Sequence, residues 1–159
     1  MVFHSSKLEK YSPSSQFFDI NEFPFYWIAR VNALYSQEME KTLKPLGMDI
    51  ARWRVAVLLS LYGTLSISDI AEHAIGKLPT MTKIVYRMRD AGLVEVNASE
   101  TDGRVTVVSL TDEGHDKVKM VLKTTEKKVF AKAFKGFTEP QIKKSTELLR
   151  RYFINMSAE

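Results

Sequence analysis

A chain of 159 residues suits one domain, or one compact domain with extra helices. Apolar residues make up 45% and charged residues 26%, so it can bury a core and stay hydrated, while the lack of any cysteine excludes disulfides, thiolate metal sites, cysteine nucleophiles and thiol redox sensing together. The net charge of +4 points weakly to a polyanionic partner, and no apolar run approaches the ~18 residues that cross a membrane.

The first fifteen residues, MVFHSSKLEKYSPSS, lack the charged-then-apolar order of a secretory signal. With the missing cysteines this fits a reducing cytoplasm, the expected location. Residues 1–20 are polar, with Ser12-Pro13-Ser14-Ser15, and read as an extended or mobile arm, flexible at the N-terminus. A long helix is predicted from Pro24, with Trp27, Ile28, Val31, Leu34, Tyr35, Met39 and Leu43 at helical spacing, ended by Pro45 and Gly47. Asp49 caps a second helix over 50–61, with Trp53, Val57 and Leu58 inward, and Gly63 stops it.

Ser66 and Asp69 have capping-box spacing ahead of a short helix over 67–75, with Ile67, Ile70 and Ala71 inward and Gly76 as its breaker. Pro79 opens the next helix and Gly92 ends it. The window Lys77 to Arg89 holds four basic residues and no acid. Strands are predicted over 93–96 and 105–110, joined by a hairpin turn at Asp102-Gly103. Thr111 caps a long helix with Asp112 and Glu113 in its first turn, and Gly136 ends it. Thr138 and Gln141 make a capping-box pair, with Pro140 between them, for a last helix to about Asn155.

Helix, short helix, break, basic helix, strand, turn, strand is the order of a winged helix-turn-helix. The second of the two paired helices fits a major groove, where base pairs are distinguishable. A hairpin tip reaches the flanking minor groove, whose negative potential attracts an arginine. Pro79, Thr80, Thr82 and Lys83 fall in the first turn or so of the basic helix, nearest base edges, and Arg87 shares the Lys83 face. Met81, Ile84, Val85 and Met88 have packing spacing and read as core. Ser66 and Ser68 are candidate phosphate donors, and Arg104 is the candidate minor-groove residue.

The segments SISDIAEHAIGKLPTMTKIVYRMRDAGLVEV and TDGRVTVVSLTDEG resemble the multiple-antibiotic-resistance regulator (MarR) family. Thr82-Lys83 matches its recognition-helix pattern, and Gly92-Leu93-Val94 the end of that helix. Asp102-Gly103-Arg104 stands where the family has Asp-Arg-Arg, followed by Leu110-Thr111-Asp112-Glu113-Gly114. Gly103 thus replaces one possible DNA contact. The upstream LKPLGMDIARWRVAVLL also resembles the family, and the likeness extends over about residues 22–155. It implies a mainly α fold with a small β-hairpin wing and terminal dimerisation helices. It also implies a Asp102–Arg104 ion pair that orients the arginine.

Phe23, Phe25, Trp27 and Leu34 at one end, and Phe130, Phe134, Phe137, Leu148, Leu149, Tyr152 and Phe153 at the other, are more large apolar residues than a monomer of this size covers. They pack either into one intrachain core or across a two-fold axis, the second matching a palindromic operator. The family's dimerisation through its terminal helices favours a homodimer. The expected division is an arm over 1–20, dimerisation helices over 21–47 and 111–159, and a DNA-binding block over 48–110.

The resemblance further implies a small aromatic carboxylate or phenol as effector. Candidate contacts are Tyr26, Trp27 and Trp53 for stacking, Arg30 and Arg52 for a carboxylate, and His73 on the short helix. The same side chains also suit plain core or surface roles. His4, His73 and His115 are scattered without metal-ligand spacing, so no enzyme, metal or cofactor is expected. The expected function is a repressor released by an aromatic acid; a non-specific architectural DNA binder, or less strongly a small-molecule enzyme, are the alternatives.

Overall fold

Helix α1, Pro24–Leu43, starts on a proline that needs no amide partner in the first turn, and its chain reverses through a 3₁₀ turn, Lys44–Leu46, onto Gly47 at φ 67°. The computed structural model describes residues 8–158, so residues 1–7 of the expected arm, with His4, lie outside the described residues. The rest of that arm is not extended. It forms 3₁₀ turns at Glu9–Tyr11 and Ile20–Glu22, tied by an Asp19 amide bond to the Lys10 carbonyl and a Lys10–Glu22 ion pair.

Helix α2, Ile50–Tyr62, begins at Asp49, whose carboxylate accepts the Arg52 amide at 2.8 Å. Its buried stripe is Val55, Ala56 and Leu59. The expected inward set of Trp53, Val57 and Leu58 is only half-buried, with Trp53 and Leu58 packing at the core's rim. The helix is apolar on most sides, so periodicity alone picked a neighbouring stripe.

Strand β1, Leu65–Ser66, leads into α3, Ile67–His73, whose inward residues are Ile67, Ile70 and Ala71 as expected. The α3–α4 turn differs in detail. Its left-handed residue is Ile75, at φ 54°, while Gly76 leaves room for the Met81 side chain. Helix α4, Leu78–Asp90, buries Met81, Val85 and Met88 and ends on Gly92 at φ 74°.

Strands β2, Val94–Ala98, and β3, Thr106–Leu110, pair antiparallel from Val94–Leu110 to Ala98–Thr106, and β1 adds on the other edge of β3. The strand β1 is two residues long, too short to show an alternating pattern in sequence. Where these elements converge with α5, Asp112–Thr125, the core contains Met39, Leu43, Leu59, Ile70, Met88 and Val121.

The α5 helix passes through a π turn, Glu126–Phe130, into short α6, Ala131–Ala133, before Gly136 at φ 83°. The π turn brings Phe130 between Tyr35 of α1 and Trp53 of α2, with ring centroids 6.5 and 6.4 Å away. The last helix, α7, Glu139–Ser157, has the expected Thr138–Gln141 capping box but no buried residue. Leu148, Leu149 and Phe153 are all exposed, as are Val31 and Leu34 of α1, so the terminal apolar residues do not form one intrachain core.

The α4, wing and α5 elements meet at one knot of hydrogen bonds. Thr111 Oγ1 donates to the Gly92 carbonyl at 2.6 Å and accepts the Gly114 amide at 2.9 Å, and the Thr111 amide bonds the Leu93 carbonyl at 3.2 Å. A Cβ on Gly114 would stand 2.0 Å from that Leu93 oxygen. Gly114→Ala is therefore expected to cost about 3 kcal/mol in denaturant unfolding, at the upper end of overpacking penalties. Gly103→Ala, with nothing within 4 Å of a Cβ, should stay within about 0.5 kcal/mol of the parent.

Candidate nucleic-acid interface

Helix α3 is short, and its N-terminus is held by a reciprocal cap. Ser66 Oγ accepts the Asp69 amide at 3.0 Å and donates to Asp69 Oδ2 at 2.7 Å, while the same carboxylate accepts the Ser66 amide at 3.3 Å. The Ser66 hydroxyl proton is thus used internally and is not available to a phosphate in this arrangement. Ser68, one residue into the helix, is exposed and has no hydrogen bond among the described residues.

Helix α4 turns Met81, Val85 and Met88 into the core, which leaves Pro79, Thr80, Lys83 and Arg87 exposed on the other side. Lys83 and Arg87 form no ion pair among the described residues. Thr82 is half-buried, and its hydroxyl donates to the Leu78 carbonyl one turn back at 2.8 Å. Arg89, by contrast, is neutralised by Asp90 at 2.9 Å. The outward face of α4 is therefore cationic mainly through Lys83 and Arg87.

The wing tip is longer than a two-residue hairpin. Its link closes through the Ser99 amide to the Val105 carbonyl at 2.8 Å and the Val105 amide to the Asp102 carbonyl at 2.9 Å. Asp102 Oδ1 accepts the Arg104 amide at 3.0 Å, and no Asp102–Arg104 ion pair forms. The aspartate thus orients Arg104 through its backbone, leaving the guanidinium unpaired among the described residues. Gly103 does not take a left-handed conformation, so its role at the tip is not a conformational one.

Between α3, α4 and the wing lies a cleft of about 240 Å³ whose lining includes Ser66, Ser68, Thr82 and Arg104. Four of the sequence candidates, from three separate segments, thus meet at one place. Tyr86 also lines it and was not among them. Its position four residues after Thr82, on the same helical face, is the signal that could have found it.

The six effector candidates do not converge. Tyr26, Trp27 and Arg30 form one group at the start of α1, with Arg30 donating to the Tyr26 hydroxyl at 3.2 Å and its guanidinium 5.3 Å from that ring. The Trp27 indole donates to the Asn21 carbonyl at 2.7 Å. Arg52 is paired with Asp49 at 2.9 Å, and His73 is exposed and stacks 5.6 Å from Tyr62. Trp53 stands apart from all of these beside Phe130. Its Nε1 is buried with no hydrogen-bond partner among the described residues, a deficit worth roughly 1–3 kcal/mol. Burial also holds the nearby Tyr35 phenol above its ordinary pKa, although Arg54 pulls it down.

The sequence model of the MarR family matches residues 49–106. The chain is 44% identical over 146 residues to the HTH-type transcriptional repressor IacR of Pseudomonas putida, spanning 92% of this chain and 87% of that protein. A mutant of Escherichia coli MarR solved in complex with operator DNA has the same fold, with a TM-score of 0.71 at 19% identity, over 79% of this chain and 90% of that one. Bordetella bronchiseptica BpsR, whose DNA binding is regulated by 6-hydroxynicotinic acid, gives a TM-score of 0.71 at 20% identity, over 80% of this chain and 96% of its own.

The cap geometry separates the two serines. Ser66→Ala should lower stability by about 1 kcal/mol in chemical unfolding, because it removes the N-cap acceptor. Ser68→Ala should leave unfolding within about 0.5 kcal/mol of the parent, since its hydroxyl holds nothing in the free protein.

Proposed function

This chain belongs to the MarR family and is a DNA-binding transcriptional regulator; from that premise we propose that it is a homodimeric repressor released from a palindromic operator by a small aromatic acid or phenol. The observation that carries the dimer is α7, a 19-residue capped helix with no buried side chain. Helices in water depend on tertiary packing of one apolar face, and within the chain this helix has the Tyr152 ring against Phe25, centroids 5.5 Å apart, and no buried residue. Its Leu148, Leu149 and Phe153 adjoin no core, and Val31, Leu34, Phe134 and Phe137 are exposed as well. Pairing two copies about a two-fold axis buries such a surface symmetrically. A palindrome requires two recognition helices about 34 Å apart, one turn of DNA, and a two-fold pair is the arrangement that can present them so.

On this reading residues 21–47 and 111–159 form the dimer region and residues 48–110 the DNA-reading block. Pro79, Thr80, Lys83 and Arg87 face the major groove, Ser68 a phosphate, and Arg104 the minor groove. The exposure of the α4 residues and the unpaired guanidinium of Arg104 support these roles. BpsR's response to a hydroxylated aromatic acid supports the effector class. Trp53, with its unpartnered N–H beside the π turn, is the favoured effector contact, and the Tyr26–Trp27–Arg30 group is a separate one.

Analytical ultracentrifugation at micromolar concentration tests the dimer, and a monomer overturns it. A duplex recovered by in vitro selection with the parent protein then serves as probe. Alanine at both Arg87 and Arg104 is expected to abolish its binding while leaving the dimer intact; undiminished binding removes α4 and the wing from the DNA face. A panel of benzoic, hydroxybenzoic and hydroxynicotinic acids should release the duplex, and Trp53→Phe, which keeps an aromatic ring but removes the indole N–H, should blunt that release. A panel without effect counts against the effector class.

A further inference from the structure

The cleft between α3, α4 and the wing is lined by five hydroxyl side chains, those of Ser66, Ser68, Thr82, Tyr86 and Thr106, and by one charged group, Arg104. Two of the hydroxyls are spent. Ser66 donates to Asp69 and Thr82 to the Leu78 carbonyl. Ser68, Tyr86 and Thr106 have no hydrogen-bond partner among the described residues, and Thr106 is set back in β3, half-buried. No carboxylate lines the cleft, so its chemistry is one cation surrounded by neutral donors. That suits an anion whose oxygens take several hydrogen bonds at once.

We propose that Tyr86 is a DNA-contacting residue whose phenol hydroxyl, with Ser68 Oγ, holds one backbone phosphate at the mouth of this cleft. The inference rests on the reading of α4 and the wing as the DNA-facing surface. Tyr86 is 36% exposed and lies one turn beyond Thr82, between the major-groove face of α4 and the wing. Its ring is braced in advance. The Arg89 guanidinium stands 4.6 Å from the ring centroid, and Arg89 is itself fixed by two hydrogen bonds to Asp90 Oδ1, at 2.9 and 3.1 Å. A braced ring loses little freedom on binding, so more of the hydrogen bond appears as affinity. Arg89, spent on this brace and on Asp90, is a positioning residue rather than a phosphate ligand.

A neutral donor leaves a signature that a cation does not. A lysine or arginine on a phosphate releases a counterion and steepens the salt dependence of binding; a phenol does not. The test is fluorescence anisotropy with the selected duplex and with a scrambled duplex, across a salt series. Tyr86→Phe removes one oxygen and keeps the ring, and is expected to weaken both duplexes equally, by about tenfold, with the slope of log K against log salt unchanged. Arg104→Ala in the same series removes one cation from each subunit of the dimer and should lower that slope by about two.

A single methylphosphonate walked along the selected duplex locates the contact. With a methylphosphonate at the matching phosphate of one half-site the loss from Tyr86→Phe should shrink, and with one in both half-sites it should vanish, because each Tyr86 of the dimer has its own partner phosphate. Equal affinity of Tyr86→Phe and parent overturns the inference. So does a loss confined to the selected sequence, which is base readout, or a reduced salt slope. If the parent itself binds neither duplex, the DNA-facing assignment has failed, and the Tyr86 inference falls with it.

Discussion

The fold turns on the threonine that links wing, recognition helix and α5. The Thr111 backbone and side chain together engage Gly92, Leu93 and Gly114. One hydroxyl acts as donor to the end of α4 and as acceptor from the start of α5, so the orientation of α4 is set by where β3 stops and α5 begins. The close approach of Gly114 to the Leu93 carbonyl excludes any side chain there. A Leu-Thr-x-x-Gly motif is thus a mechanical joint, and the angle of the DNA-reading helix follows from it.

That joint divides the molecule by the way its parts are stabilised. Around it, the end of α1, α2 to α5 and the three strands bury a continuous apolar core, and α2, α3 and α5 each begin on a side-chain cap. Beyond the π turn, the chain keeps caps but has no core. The Thr138–Gln141 box closes the start of α7, yet no side chain of that helix is buried. Good local chemistry without tertiary burial is what the proposed dimer rests on, since capping contributes about 1 kcal/mol and burial of a single large apolar residue exceeds it.

Most of this was readable in the residues wherever one local rule sufficed. The α3 capping box, the Asp49 cap, the Gly92 stop and the packing stripe of α4 all follow from spacing alone. Sequence reading failed where two rules competed or where tertiary context decided. The α2 stripe slipped because nearly every face of that helix is apolar. Ile75 takes a backbone conformation that glycine would be expected to hold, and the neighbouring Gly76 drew attention from it. The π turn has no sequence signal at all, and it is what brings Phe130 to Tyr35 and Trp53. In the interface, the cationic face of α4 was legible by elimination of its core positions. The Ser66 hydroxyl was already committed by its own capping box, a conflict with a phosphate role that the spacing itself contained, whereas the Thr82 bond to the Leu78 carbonyl was not legible, because a threonine one turn into a helix is equally free to face outward.

These distinctions limit how an effector could act. A ligand shifts only an equilibrium between states that it binds unequally, and moving a population from mostly bound to mostly released needs several kcal/mol of difference. The joint at Thr111 is a poor place for such a shift, since every group there is paired and the Gly114 contact has no slack. The π turn is a better one. An α-helical register change across Glu126–Phe130 would rotate Phe130 relative to Tyr35 and Trp53, beside a buried indole donor that lacks an acceptor. A small molecule that supplied that acceptor in one register and not the other would have the required preference.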